Sequence, residues 1–290
     1  MKLGIHVGTF QGSSPEEILD AVADHGLECV QLNFAALGVE LVLDQSNDTA
    51  VDRVAKALCQ RELEPVAVSG TFNMIHPDVA ERRRGIRRLE TLARAARRLG
   101  ARLLTLCTGT RDPNDMWAPH PDNSATAAWN DCLDTMEQAI GIADRYDLLL
   151  GVEPETGNVV STAGAARQLL DELGSPRVKI VIDPANLFSR DELYRMLRMP
   201  NMGTLMRSRI ESAMNLLAPD IVLAHAKEIG PDGIPGGLGP GGRHSPGKLD
   251  WGYFINTLHL HEFDGPVILH GLPEADVADS VAYLERLIGR

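Results

Sequence analysis

Two patterns of hydrophobic and polar positions alternate along the chain. Short runs dominated by apolar residues predict buried β-strands at 2–8, 28–34, 64–70, 102–109, 148–154, 178–184, 220–228 and 265–271. Between these runs lie longer segments in which apolar residues recur at helical spacing. Because the strands are too apolar to have a solvated face, the alternation predicts a parallel sheet covered by helices.

Local signals support the predicted helices. The segment "SSPEEI" (13–18) offers a serine cap, a proline in the first turn and acidic residues near the helix N-terminus. Segments 124–146 and 274–288 keep their apolar residues on one face. Eight strand–helix units in 290 residues match the count and length of a closed (β/α)₈ TIM barrel, so we expect one domain spanning 1–290.

An open, doubly wound sheet is the alternative architecture. It would usually show a G-x-G-x-x-G loop after an early strand, and "HVGTFQG" (6–12) matches that pattern poorly. The glycine- and proline-rich stretch 229–248 lies between the seventh and eighth predicted strands. Its place predicts a loop over the barrel mouth, where such loops are usually functional.

Composition and charge limit the binding partners and the cellular compartment that we expect. The formal net charge of −12 disfavours binding to nucleic acid or to an anionic membrane. An arginine-rich segment, 81–100, has apolar residues at helical spacing, so its arginines are predicted to face solvent. No apolar stretch approaches the roughly 20 residues that cross a bilayer. Four cysteines without a CxxC pair, and a start without a secretion signal, favour a cytoplasmic protein with reduced thiols.

Residues that bind metals end four consecutive predicted strands. Strands five to eight end in Glu153, Asp183, His225 and His270. A barrel places its chemistry at these ends, so the four side chains are predicted to converge on one side of the mouth. Neighbouring carboxylates repel each other, and a divalent cation relieves that repulsion. Mixed oxygen and nitrogen ligation suits Mn²⁺, Co²⁺, Fe²⁺ or Zn²⁺ better than Ca²⁺.

Each of these residues also has an ordinary structural explanation. Asp183 can cap the helix that follows it, and a strand-end histidine can bond to backbone. Other polar residues near the strand ends are candidates for binding a substrate: Asn73, His76, Arg111, His120, Asn186, Lys227 and Lys248. Arg111, Arg243 and Lys248 suit a phosphate or carboxylate group, although basic residues in loops are more often simply solvated.

At these residues the chain resembles the xylose isomerase-like TIM barrel superfamily, the sugar phosphate isomerases and epimerases. The resemblance covers essentially the whole chain and is most specific in "GVEPE", "VIDPANL", "LAHAKE", "SPGKLDW" and "GPVILHGLPE". "SGTFNMIHPD" and "LCTGTRD" resemble a sub-branch of unassigned specificity. The resemblance implies one divalent metal, often Mn²⁺, Co²⁺ or Mg²⁺, held by Glu153, Asp183 and His225. The fourth position is His270, where the family usually has glutamate.

The implied reaction is metal-assisted enolisation of a small polyhydroxy ketone or aldehyde. Glu153 removes a proton from the carbon next to the carbonyl. In the epimerases a second glutamate completes the acid–base pair, but a metal-bound imidazole cannot take a proton from carbon. The second acid or base is therefore sought elsewhere. Its candidates are Glu155, Glu228, His76 and His120.

Three alternatives stay open. A dehydratase or lyase of the inosose-dehydratase type needs only one base and one acid. A non-catalytic sugar- or metal-binding barrel stays possible because the usual second glutamate is missing. Apurinic-site endonucleases share the barrel, but they need a three-zinc cluster, and Asn73, Asn186 and His270 stand where stronger ligands would be expected. The resemblance also allows a homo-oligomer, because related barrels often form dimers or tetramers.

Overall fold

Eight parallel strands close into a barrel in the order in which they occur along the chain. The computed structural model describes residues 1–189, 191, 192, 195, 199, 201–228, 238 and 249–289. The strands are β1 (Leu3–His6), β2 (Cys29–Leu32), β3 (Glu64–Ser69), β4 (Leu103–Leu106), β5 (Leu149–Val152), β6 (Val178–Ile182), β7 (Ile221–Ala226) and β8 (Val267–Leu269). All eight predicted strands are confirmed, as is the TIM barrel.

Helices surround the barrel. Those with both ends among the described residues are α1 (Pro15–Asp24), α2 (Asp48–Gln60), α3 (Val79–Leu99), α4 (Thr126–Tyr146), α5 (Ala163–Leu173), α6 (Met202–Leu217), α7 (Trp251–Leu260) and α8 (Val277–Ile288). The predicted start of α1 is confirmed, because the Ser14 side chain accepts a hydrogen bond from the Glu17 N–H. Seven of the eight arginines on α3 are exposed, as its apolar spacing predicts.

The apolar core has two parts. Most of it lies between the barrel and the helices. A smaller plug fills the barrel interior and consists of Cys29, Ala67, Leu103, Val181, Leu223 and Ile268. Gly151 belongs to the same level, since a Cβ there would lie 2.8 Å from Val181 Cγ2. Burying each larger aliphatic side chain contributes roughly 1.5–3 kcal/mol, so this plug fixes the strands that carry the residues above it.

The strands are shorter than predicted, so most of the predicted metal-binding residues lie just beyond a strand end. Glu153, Asp183 and His270 each come directly after the last residue of a strand, whereas His225 lies within β7. Register shifts occur between Val30 and Gln31 on β2 and between Ile180 and Val181 on β6. Both irregularities lie just before the barrel mouth, where such bulges re-aim side chains.

The predicted loop 229–248 lies outside the described residues except at Leu238. That residue is buried, and its backbone N–H donates to Ser280 Oγ over 3.0 Å. Within the part of the chain that the structure describes, no helix combines the length and apolar character needed to cross a membrane.

Candidate functional site

A ring of polar side chains lies above the apolar plug, with one residue from each strand. Side chains two residues apart on a strand point to the same side, so each member follows an interior position by two residues. We call this set the polar ring: His6, Gln31, Ser69, Thr105, Glu153, Asp183, His225 and His270. For example, Leu223 of the plug precedes His225, and Ile268 precedes His270. The alternation of the barrel interior therefore produces a polar mouth.

Three members of the polar ring form a compact ligand cluster. Among the described residues, donor atoms of Glu153, Asp183 and His225 all lie within 4.8 Å of one another, and all three residues are buried. His225 Nδ1 is 3.1 Å from Glu153 Oε1. Even so, His225 Nδ1 and Asp183 Oδ2 make no well-formed hydrogen bond within the described structure. Buried polar atoms without a well-formed hydrogen bond are rare, and this group of donor atoms could hold a divalent cation.

His270 lies directly beside this cluster. Its ring stacks on that of His225, with 4.9 Å between centroids and 7° between planes, and its edge faces His6. His270 Nδ1 is also buried without a hydrogen-bond partner in the described structure. Burial, together with His225, holds the pKa of His270 well below its usual value, so the ring is neutral as a ligand must be. Its role as fourth ligand stays a prediction.

The two neighbouring glutamates are held in opposite protonation states. Burial opposes ionisation of Glu153, but His225 and Lys227 outweigh it and lower the pKa to about 2. Burial and the charge of Glu153 raise the pKa of Glu155 to about 8. At neutral pH the site therefore holds a carboxylate next to a carboxylic acid. Two carboxyl groups whose pKa values are pushed apart are typical of acid–base catalysis.

Lys227 and Asn186 lie on this side of the site, and substrate binding by them stays a prediction. Lys227 Nζ donates to Asn186 Oδ1 over 2.8 Å and lies 3.1 Å from Asp183 Oδ2. Asn186, on the turn after β6, donates from Nδ2 to Glu153 Oε1 over 2.8 Å. Burial opposes the charge of Lys227, but Asp183 and Glu155 raise its pKa, so it is an ammonium ion.

The opposite side of the polar ring contains residues that the sequence analysis missed. Gln31 Oε1 lies 2.8 Å from His225 Nε2, and Gln31 Nε2 donates to Ser69 Oγ and Thr105 Oγ1 over 3.1 and 3.2 Å. His6 Nε2 lies 3.4 Å from the same Ser69 hydroxyl. A polar residue inside an apolar strand was the available signal, and the glutamine in "CVQL" shows it most clearly.

Four predicted substrate-binding residues lie in the loops after β3 and β4 and bind other loop groups. Asn73 accepts from the Thr110 N–H over 3.1 Å and donates to the Thr110 carbonyl over 2.8 Å. Arg111 donates to Asp131 Oδ2 and the Ile75 carbonyl. His76 lies 3.2 Å from the Pro113 carbonyl, and His120 accepts from the Asp122 N–H over 3.2 Å. The structure thus uses these side chains to hold the loops, and substrate binding by them stays a prediction.

The fold separates Glu228 from Glu155, two of the candidates for the second acid or base. Glu228 lies on the other side of β7 from His225, where its carboxylate accepts from Trp251 Nε1 over 2.8 Å and from the Leu249 N–H. Glu155 instead lies with Glu153 and Cys107, with one donor atom from each within 4.8 Å. Glu155 is therefore the predicted acid–base residue that the structure brings to the site. Lys248 and Arg243 lie outside the described residues.

Comparisons with known proteins agree with this architecture. A family model described as xylose isomerase-like TIM barrel matches residues 19–287. Similar solved structures include the Escherichia coli 3-keto-D-glucoside 4-epimerase YcjR, with 15% identity, 99% of each chain covered and a TM-score of 0.71. An L-ribulose 3-epimerase shares 15% identity over 99% of this chain and 94% of its own, with a TM-score of 0.74. The comparison with curated proteins gave no match.

A third similar structure is that of IolI with a bound zinc atom. It shares 14% identity over 100% of this chain and 98% of its own, with a TM-score of 0.71. At identities this low, the similarity establishes a common fold.

Proposed function

The chain belongs to the xylose isomerase-like TIM barrel family, and from that premise we propose that it is a divalent-metal-dependent isomerase or epimerase of a sugar or sugar phosphate. The main support is the pairing of an ionised Glu153 with a protonated Glu155 at a buried cluster in which donor atoms of Glu153, Asp183 and His225 lie within 4.8 Å of one another. The sugar epimerases among its structural neighbours are consistent with a polyhydroxy substrate.

Glu153, Asp183 and His225 would hold the metal, with His270 as the fourth ligand. When bound, Mn²⁺, Co²⁺, Mg²⁺, Fe²⁺ or Zn²⁺ supplies a Lewis acid that polarises the substrate carbonyl. The zinc bound to IolI supports a single-metal site in this fold. The neutral His270 places less negative charge in the site than a glutamate would, which leaves more uncompensated positive charge near the carbonyl oxygen.

The proton transfers follow from the two glutamates. Ionised Glu153 takes the proton from the carbon next to the carbonyl, and the electron pair of that C–H bond moves into an enediolate. Glu155, whose carboxyl group lies beside that of Glu153, would then give its proton to the neighbouring carbon on the same face, which is isomerisation. Epimerisation needs a second proton donor on the opposite face of the first carbon. Lys227 and Asn186 orient substrate hydroxyl groups and hold the Glu153 carboxylate in place.

A dehydratase or lyase is the second candidate, because the same base and acid suffice for it. After Glu153 removes the proton, Glu155 would protonate a departing hydroxyl group, and water would leave. Product analysis separates the two reactions, since only elimination yields an unsaturated or deoxy product. A binding barrel without turnover would show ligand affinity and neither product.

The first test is the metal content of protein purified without chelator or affinity-tag nickel, measured by elemental mass spectrometry. We expect one Mn, Co, Fe or Zn ion per chain. Metal-loaded protein is then incubated in D₂O with ketoses, aldoses and their phosphates, and deuterium at the carbon next to the carbonyl is measured by NMR. Exchange that disappears in Glu153→Gln would support the proposal. A chain that binds no metal after reconstitution and exchanges no proton would refute it.

A further inference from the structure

We propose that Gln31 is a positioning residue that fixes the tautomer of His225, so that Nδ1 presents its lone pair to the ligand cluster. This inference rests on the proposed metal site. It concerns the neutral side of the polar ring, which the acid–base chemistry does not use.

The contact between Gln31 and His225 determines where the imidazole proton lies. Gln31 is buried, and its Oε1 lies 2.8 Å from His225 Nε2. An amide oxygen only accepts hydrogen bonds, so Nε2 must carry the proton. In the neutral ring with this tautomer, Nδ1 holds a lone pair and lies 3.1 Å from Glu153 Oε1, where a bound cation would replace the proton that the two atoms otherwise share.

In this orientation the Gln31 amide nitrogen also has hydrogen-bond acceptors. Its Nε2 donates to the hydroxyl groups of Ser69 and Thr105. The Ser69 hydroxyl lies 3.4 Å from His6 Nε2, and His6 Nδ1 accepts the Gly8 N–H over 3.1 Å. A neutral His6 therefore carries its proton on Nε2 and donates it to Ser69. The residues of β1, β3 and β4 thus support Gln31 on β2, which faces the imidazole from β7.

The reverse amide orientation would have the opposite effect. Gln31 Nε2 would donate to His225 Nε2, and the imidazole proton would move to Nδ1. That proton would bond to Glu153 Oε1 and occupy the lone pair that a metal needs. A hydrogen bond on the far nitrogen of a metal-binding histidine generally fixes its tautomer in this way. Gln31 therefore selects the metal-binding form of His225 over a closed Glu153–His225 pair.

The test compares two substitutions of Gln31. Gln31→Met is close in size but has no hydrogen-bonding amide, whereas Gln31→Glu keeps an acceptor for the His225 Nε2–H. Thr135→Val is the control, because Thr135 is a buried residue whose hydroxyl donates to the Met74 carbonyl, outside the polar ring. Affinity for Mn²⁺ and Co²⁺ is measured by calorimetry. The His225 tautomer is measured by NMR of ¹⁵N-histidine-labelled protein, with His225→Asn to assign its signals.

We expect Gln31→Met to weaken metal binding by roughly 10–100-fold and to lose the pure Nε2–H signal of His225. Gln31→Glu should restore most of the affinity and the tautomer, and Thr135→Val should change neither. Thr105→Val, which loosens the Gln31 amide without touching His225, should cause a smaller loss in the same direction. It also keeps the proposal testable if Gln31→Met does not fold.

The outcomes separate this inference from the proposed function. Wild-type affinity and an unchanged tautomer in Gln31→Met would overturn the role of Gln31 and leave the metal site standing. If the wild-type protein binds no metal, the proposed function fails. The ¹⁵N signals of His225 would then still decide whether Gln31 fixes the ring, because a tautomer that stays Nε2–H in Gln31→Met excludes that role.

Discussion

The two halves of the polar ring differ in charge and in how well their atoms are satisfied. The half from β5 to β8 holds two carboxylic acid residues and two histidines, whereas the half from β1 to β4 holds Gln31, two hydroxyl residues and His6. In the first half, polar atoms of Asp183, His225 and His270 are buried without hydrogen-bond partners in the described structure. In the second, the side chains bond to one another.

This difference indicates which half of the polar ring would bind a ligand. A buried polar network is stable when its members satisfy each other, and the neutral half does so. The charged half has buried polar atoms without a hydrogen bond, and its Glu153 lies beside Glu155, whose pKa is shifted in the opposite direction; both features cost stability unless a ligand compensates them. We therefore expect one half to perform the chemistry and the other to hold it in position. The predictions below test that division.

The largest expected effect is on proton transfer in the charged half. Glu153→Gln should lower the rate of deuterium exchange into substrate by about 10²–10⁴-fold at saturating metal, because an amide cannot accept the carbon-bound proton. Ser69→Ala, in the neutral half, should cause a much smaller loss. NMR of the exchange reaction measures both. Equal losses in the two variants would contradict the assignment of proton transfer to the charged half.

Metal affinity is the next test, and the two histidines that lie against each other provide a matched pair. His270→Ala should weaken Mn²⁺ or Co²⁺ binding by at least about tenfold, because it removes a ligand atom. His6→Ala should have a smaller effect, since its nitrogens already contact Gly8 and Ser69. Calorimetric titration compares them. A larger loss in His6→Ala would place the fourth ligand on β1 rather than β8.

A third prediction concerns Arg111, which the sequence offered as a substrate-binding residue. Its bonds to Asp131 and to the Ile75 carbonyl join the loops after β3 and β4 to α4. Arg111→Gln should therefore lower the free energy of unfolding by about 1–3 kcal/mol and leave metal affinity unchanged. Arg87→Gln, on the exposed face of α3, is the control and should change stability by about 0.5 kcal/mol or less. Unchanged stability with a raised KM would instead support contact with substrate.

The charged half was predictable because carboxylates and imidazoles at the ends of apolar strands stand out against their neighbours. The convergence of Glu153, Asp183 and His225 was predicted in this way, and the strand count predicted the barrel. Gln31 and Thr105 were not found, because a glutamine or threonine within a strand is unremarkable until the inward-facing positions are known. Only the closed barrel reveals that they share a level with Glu153.

Loop residues were harder to assign for a different reason. Asn73 and Arg111 have the polar groups that a substrate site needs, but their partners lie 37 and 36 residues away in sequence. No local pattern shows that a neighbouring loop already uses those groups. The position of 229–248 over the mouth, and the role of Lys248 within it, stay predictions.

The smallest expected effect is the pH dependence of the ion pair beneath these loops. Asp131 lies 2.5 Å from Arg82 Nη1 and 2.7 Å from Arg111 Nη2. Burial opposes ionisation of Asp131, but the two arginines outweigh it and hold its pKa below the ordinary value of 3.8. Its contribution to stability is therefore fully present above the unfolded pKa and is lost as the pH falls through the folded pKa.

Asp131→Asn should accordingly reduce the free energy of unfolding by about 1 kcal/mol near neutral pH. The difference from the wild-type protein should shrink below about pH 4, where the unfolded carboxyl group is protonated. Urea denaturation at several pH values measures it. The Arg111→Gln/Asp131→Asn double variant then gives the coupling energy, which should account for part of the loss. A difference that stays constant down to about pH 3 would mean that Asp131 acts through its shape and hydrogen bonds rather than its charge.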